Sequence, residues 1–115
     1  MTKDIKSAYF AGLIDGEGHI GFSSSGGTKV PMVQVKMTCE KTINAIKSHF
    51  NCGYICAQRE EKEGWKPQWK WRASCVNAVK VLAEIEPFLI TKKESALFVL
   101  NSPPTKAGSR LYIAP

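Results

Sequence analysis

No stretch of this 115-residue chain approaches the ~18 to 20 consecutive apolar residues that a membrane-spanning helix requires, and its first residues lack the apolar core of a signal peptide. A soluble, intracellular protein is therefore expected. Close cysteine pairs are also missing: Cys39, Cys52, Cys56 and Cys75 are spread singly. His49 with Cys52 and Cys56 comes nearest to a metal site, but no fourth ligand follows at a regular spacing. Reduced, partly buried thiols are expected in place of structural zinc or disulfides. No segment repeats another. Acids are in short supply, 10 against 16 Lys and Arg, which leaves a net charge of +6. That balance suits a polyanionic partner and equally a solvated basic surface. With 43% hydrophobic residues the chain can build one core, near the size at which oligomerisation helps.

The most informative stretch is Phe10-Ala11-Gly12-Leu13-Ile14-Asp15-Gly16-Glu17-Gly18. Ala8, Gly12 and Gly16 recur every four residues with Ala11 and Asp15 beside them, so a helix here has a nearly bare face that a second backbone can approach closely. Phe10, Leu13 and Ile14 are expected to turn away from it, into the core. Asp15 and Glu17 arrive as the helix stops, where the macrodipole favours cations, so two acids there need an outside reason. A bound divalent cation is one such reason. A lone Gly-x-x-x-Gly would suit an ordinary core helix ending at glycine just as well.

The longer motif resembles that of the LAGLIDADG homing endonucleases, with Phe10 standing for the first Leu and Gly16-Glu17-Gly18 for the final Ala-Asp-Gly. The resemblance continues in order through Glu40-Lys41-Thr42, Cys52-Gly53-Tyr54-Ile55 and Pro87-Phe88-Leu89-Ile90-Thr91-Lys92. It implies an α+β fold, αββαββα with an antiparallel DNA-binding sheet, and two copies of the motif helix packed together, here through Ala8, Ala11, Gly12 and Asp15 of a homodimer. It further implies Glu17 as the metal-binding acid with the Gly16 carbonyl as a second ligand, Lys92 near the scissile phosphate, and Glu40 holding the attacking water. Carboxylates and carbonyls suit Mg²⁺, with Mn²⁺ able to substitute. The activity implied is site-specific hydrolysis of double-stranded DNA at a pseudo-palindrome, in a bacterial or phage-infected cytoplasm or an organelle. A binding-only DNA regulator and a group I intron RNA maturase remain as alternatives on the same fold.

Periodicity gives the elements. A helix over 4–15 leads into a strand over 19–24, and a second strand over 30–38 places Val33, Val35 and Met37 opposite Gln34, Lys36 and Thr38. A helix over 41–50 carries Ile43, Ile46 and Phe50 and is stopped by Asn51-Cys52-Gly53. Strands over 54–59 and 68–73 flank a polar hairpin loop, 60–66, that holds Trp65. Trp69 and Trp71 oppose Gln68, Lys70 and Arg72 in parity and are expected beneath the helices. Ser74 is the expected N-cap of a helix with a stripe of Val76, Val79, Leu82 and Ala83, ended by Pro87. A last helix spans 92–101, so residues 1–102 form one domain and 103–115 a tail. The polar strand faces offer Ser23, Gln34, Lys36, Thr38, Gln58, Lys70 and Arg72 as DNA contacts, with Lys29 and Gln68 as additional ones. A sheet with one wet face is the plainer account of the same alternation.

Overall fold

A computed structural model of the protein describes residues 3–25, 27–58 and 67–102. The expected hairpin loop with Trp65 and the tail over 103–115 lie outside the described residues.

Helix α1 (Lys3–Glu17) runs straight into β1 (Gly18–Ser25), followed by β2 (Thr28–Met37), α2 (Glu40–Phe50), β3 (Tyr54–Gln58), β4 (Gln68–Ser74) and α3 (Val76–Ile85). A 3₁₀ turn (Glu86–Phe88) then leads to α4 (Lys93–Asn101). The fold is α+β, and the four strands form one antiparallel sheet in the order β1-β2-β4-β3. The register is unbroken by bulges, so side-chain parity is preserved across the sheet. On one face Ile20, Val33 and Ala73 lie in line, as do Val35, Trp71 and Ile55, and then Met37, Trp69 and Ala57. This face is the floor of the core, which Phe10, Ala11, Ile14, Ile43, Ile46, Phe50, Val81, Leu82 and Ile85 cover from the helices.

The fit is tightest around Trp71. Its ring is fully buried, stacks on Phe50 with centroids 5.7 Å apart, and donates its Nε1–H to the Cys52 carbonyl at 2.9 Å. The chain can pass this close only because residue 53 is glycine. At φ +86° it adopts a left-handed turn, and a Cβ there would lie 2.6 Å from Trp71 Nε1. Asn51, also left-handed at φ 55°, closes α2 by donating its N–H to the Lys47 carbonyl.

Two expectations from the sequence need correcting. Ser74 is the last residue of β4 and no helix cap; the N-cap is Cys75, at φ 58°, whose N–H donates to the Pro31 carbonyl at 3.0 Å. That turn rotates α3 relative to the expected stripe. Ala78, Val81, Leu82 and Ile85, at i, i+3, i+4 and i+7, are buried together with Val79, whereas Val76 is 43% exposed and Ala83 is exposed. On α1 the buried set is Ser7, Phe10, Ala11 and Ile14, again one helical face. Leu13 packs at the margin of the core.

Ser7 is 1% exposed and polar, so it must be hydrogen-bonded. It donates to Glu84 Oε2 at 2.6 Å, and the same oxygen lies 2.7 Å from His49 Nε2. Burial pushes the Glu84 carboxyl up, but the Ser7 hydroxyl, His49 and Lys3 outweigh it and hold the group below its ordinary range. A depressed folded-state pKa stabilises the fold above the unfolded-state value, and that contribution is lost as pH falls through the folded one. Glu84→Gln should therefore cost about 1.5 to 3 kcal/mol at neutral pH, and the gap should narrow as pH falls below the ordinary glutamate range. Urea unfolding at fixed protein concentration and stepped pH measures it; a gap of constant size across the acid range would remove the charged network from the account.

Candidate functional site

The face of the sheet turned away from the helices is built from the other parity. One cross-strand row runs His19, Gln34, Arg72, Tyr54 over all four strands, and the next runs Lys36, Lys70, Cys56. Lys36 and Lys70 stand directly opposite each other, a like-charge pair that is unfavourable without an anion to neutralise it. Among the described residues no strand contains an Asp or Glu. The charge of this face is therefore uncompensated from within the sheet.

The expected contacts distribute unevenly over it. Gln34, Lys36, Lys70 and Arg72 are gathered in two neighbouring rows, and Gln68 lies at the end of β4 opposite Gln58, of whose side chain nothing is described. Thr38 is exposed in the bend after β2. Ser23 shares the parity but pairs with Val30, which is buried, as is Met32 next along that face. The polar surface thus begins at Gln34. Lys29 has the opposite parity, and the register assigns it to the helix-covered side. His19 and Tyr54, both exposed, complete the four-strand row and were not among the residues picked out from the sequence. They share the strands and the parity of Ser23 and Gln58, which the sequence did single out, so the register carries the signal for them.

The acids sit at one corner of this face. Glu17 is the last residue of α1 and is exposed; Gly18, next in the chain, opens β1 opposite Val35, the neighbour of Lys36. A glycine is needed at 18 because a Cβ would lie 2.8 Å from the Ile14 carbonyl oxygen. The direct passage from helix to strand therefore places Glu17 next to the end of β1 that pairs with Val35, itself beside Lys36 in sequence. Asp15 does something else. Its Oδ2 accepts the N–H groups of Ile90 (2.8 Å) and Thr91 (3.0 Å), and its Oδ1 accepts that of Lys92 (2.7 Å). Burial pushes the Asp15 carboxyl up, but these three N–H groups and the Lys92 charge prevail and hold it below its ordinary range. In return, Lys92 Nζ donates to the Asp15 carbonyl at 2.6 Å. Lys92 is thus brought to the C-terminal end of α1, beside the residues that precede Glu17. Glu40 is exposed at the first position of α2, and no hydrogen bond or ion pair among the described residues joins it to Glu17 or Lys92.

Among the described residues no three His, Cys, Asp or Glu side chains gather to hold a metal ion. One exposed carboxylate at Glu17 and the carbonyls at the end of α1 form a partial donor set of hard oxygens. Such a set fits Mg²⁺, which keeps several waters and takes one or two carboxylates together with phosphate oxygens.

The small face of α1 divides in two. Ala11 is fully buried in the core, and Asp15 is engaged within its own chain, so the open part consists of Ala8, Gly12 and Gly16. Ile5 and Tyr9, 55% and 61% exposed, flank it and widen it into an apolar surface. A Cβ added at Gly12 or at Gly16 meets nothing within 4 Å.

No protein-family model matches the sequence, and no curated protein matches it. Solved structures do. The homing endonuclease I-CvuI, crystallised with its target in the presence of Ca, superposes with a TM-score of 0.68 at 20% identity over 84% of this chain and 64% of that one. The archaeal intron-encoded homing endonuclease I-Vdi141I, complexed with DNA, gives 0.66 at 22% identity over 85% of this chain and 66% of that one. The LAGLIDADG meganuclease I-AabMI, bound to uncleaved DNA, gives 0.59 at 19% identity over 82% of this chain and 34% of its own. The chain spans 64% to 66% of the length of the first two. These likenesses show the fold: it is that of the LAGLIDADG homing endonucleases.

In a single chain, Gly12→Ala adds a methyl group to open space and replaces the poorest ordinary helix former with the best. It should raise stability by about 0.5 to 1 kcal/mol wherever the face is solvent-exposed. Thermal unfolding over a wide range of protein concentrations checks this. A loss of stability that grows with concentration would mean that a second backbone already occupies the face.

Proposed function

We propose that this chain is a member of the LAGLIDADG homing-endonuclease family that acts as a homodimer, cutting both strands of a pseudo-palindromic DNA site with a divalent metal ion. The observation that carries this reading is the acid-free sheet face with Lys36 and Lys70 opposed, at whose corner Glu17 stands exposed. A wet sheet face alone has no use for opposed lysines. A DNA phosphate backbone neutralises them, and a two-stranded ribbon can enter the major groove with Gln34 and Arg72 reaching base edges.

The chemistry follows from the corner. Glu17 and the Gly16 carbonyl would hold Mg²⁺, or Mn²⁺ in its place, and a metal ion there supplies charge stabilisation for phosphodiester hydrolysis and lowers the pKa of its water. Lys92, anchored at the end of α1, would offer its ammonium to the negative charge that grows on the phosphate in the transition state. Glu40 is the candidate for orienting the attacking water. Among the described residues one chain offers too few donors for a closed metal site, and two chains meeting along Ala8, Gly12 and Gly16 would bring two Glu17 carboxylates to the centre of one DNA site.

Glu17→Gln keeps the size of the side chain and removes its charge. This variant should bind target DNA with little change while cleavage in Mg²⁺ falls by at least two orders of magnitude. Gel-shift and single-turnover cleavage assays separate the two effects, and cutting at the wild-type rate would place the active site elsewhere.

Recognition is tested by selecting cut sites from a randomised duplex library. Two-fold symmetry predicts related half-sites about one helical turn apart. Lys36→Ala and Lys70→Ala should each weaken binding and lower the salt slope by about 2 per dimer, one phosphate per subunit. Asymmetric sites would remove the homodimer, binding without any cutting would favour a regulator, and selection of RNA hairpins a maturase.

A further inference from the structure

We infer that Asp15 is a positioning residue for Lys92, holding the segment 90–92 against the end of α1 so that the lysine ammonium stands at the carbonyl end of the helix that carries Glu17. The inference rests on the nuclease reading above.

Burial cannot set this segment. Leu89 before it is 3% exposed and Ala96 after it is buried, but Ile90 is 85% exposed and Thr91 is exposed, so between the two anchors no apolar side chain fixes the path of the chain. What fixes it is the Asp15 carboxylate, which takes all three consecutive N–H groups of residues 90 to 92 at 2.7 to 3.0 Å. They are the N–H groups of the N-cap of α4, Lys92, and of the two residues before it, and Lys92 makes no side-chain cap bond of its own. The Lys92 side chain is free to do otherwise, and its Nζ donates one proton to the Asp15 carbonyl. That carbonyl is among the last four of α1, which have no acceptor role inside the helix. Two helices therefore cap each other through one aspartate and one lysine. An ammonium has three protons, and this contact uses one. The other two remain to be offered to a phosphate oxygen, from a position fixed at both the backbone and the tip of the side chain. Placement of this kind matters in catalysis because a shift of about 1 Å in a charged group can cost on the order of a hundredfold in rate.

A merely structural cap would also occupy these N–H groups, and a double-mutant cycle on the full chain distinguishes the two roles. Asp15→Asn keeps one carbonyl acceptor and the shape of the side chain. It should lower the single-turnover cleavage rate by about tenfold to a hundredfold while leaving the DNA dissociation constant within about twofold. In a Lys92→Met background the same substitution should change the rate little, because the group it positions is gone. Hydrogen exchange of the Ile90, Thr91 and Lys92 amides reports the clamp itself and should accelerate in Asp15→Asn with the rest of the chain unaffected.

Multiplicative losses in the two backgrounds, or equal losses in rate and affinity, would overturn the inference and leave Asp15 as a structural cap. Unchanged exchange at residues 90 to 92 would overturn it as well. A wild-type protein that binds DNA in Mg²⁺ without cutting it is a different result: it overturns the nuclease reading, and this inference with it. A folded Lys92→Met protein cutting at the wild-type rate would remove the lysine from the chemistry and the positioning role from Asp15.

Discussion

The arrangement depends on an exchange of caps between the first helix and the last. The end of α1 carries two acids where the macrodipole favours cations, and the segment before α4 carries N–H groups with no internal partner. Each deficit supplies the other: the Asp15 carboxylate satisfies the N–H groups of residues 90 to 92, and the Lys92 ammonium lies at the negative end of α1. One of the two acids is thereby explained without a metal ion. Glu17 is left as the acid with no hydrogen-bond or ion-pair partner among the described residues, exposed at the end of α1.

The sheet separates its two duties by parity. An unbroken antiparallel register sends Val33, Val35, Trp71 and Ala73 to the core and Gln34, Lys36, Lys70 and Arg72 to the opposite side. A single-residue slip in either strand would bury lysines and expose Trp71, so the same constraint that fixes the core also fixes the basic surface. The hydrophobic effect acts here as the device that aligns the charges. Residues His19 and Tyr54 inherit their place in the four-strand row from this register, with no burial of their own to enforce it.

What was legible in the sequence follows from the range of the interactions involved. The alternation over Val33 to Met37 and the spacing of Ile43, Ile46 and Phe50 are local patterns with one period each, and they appear in the structure as expected. The α3 stripe was misplaced because Cys75 takes a positive φ, a backbone state that a side-chain pattern does not announce. Ala11 was assigned to the open face on size alone; a small residue suits close packing inside one chain as readily as between two. Asp15 presented as an acid at a helix end, and its partners lie 75 to 77 residues away, beyond any spacing rule. The resemblance already separated the two acids, Glu17 for a metal ion and Asp15 to cap or brace the helix pair; what the tertiary contacts add is that Asp15 binds the N–H groups of residues 90 to 92 of its own chain.

The remaining features point to a site that one chain does not complete. Glu17 finds no companions for a closed metal centre among the described residues, and Lys36 faces Lys70 without an anion. The surface of Ile5, Ala8, Tyr9, Gly12 and Gly16 is apolar and open on the helix that carries Glu17. Each deficit has its own natural remedy, respectively phosphate oxygens with a second carboxylate, a phosphate backbone, and a second copy of the same helix. The homodimer on DNA proposed above would provide all three in one arrangement, with the helix end that the Asp15 and Lys92 contacts already hold in place.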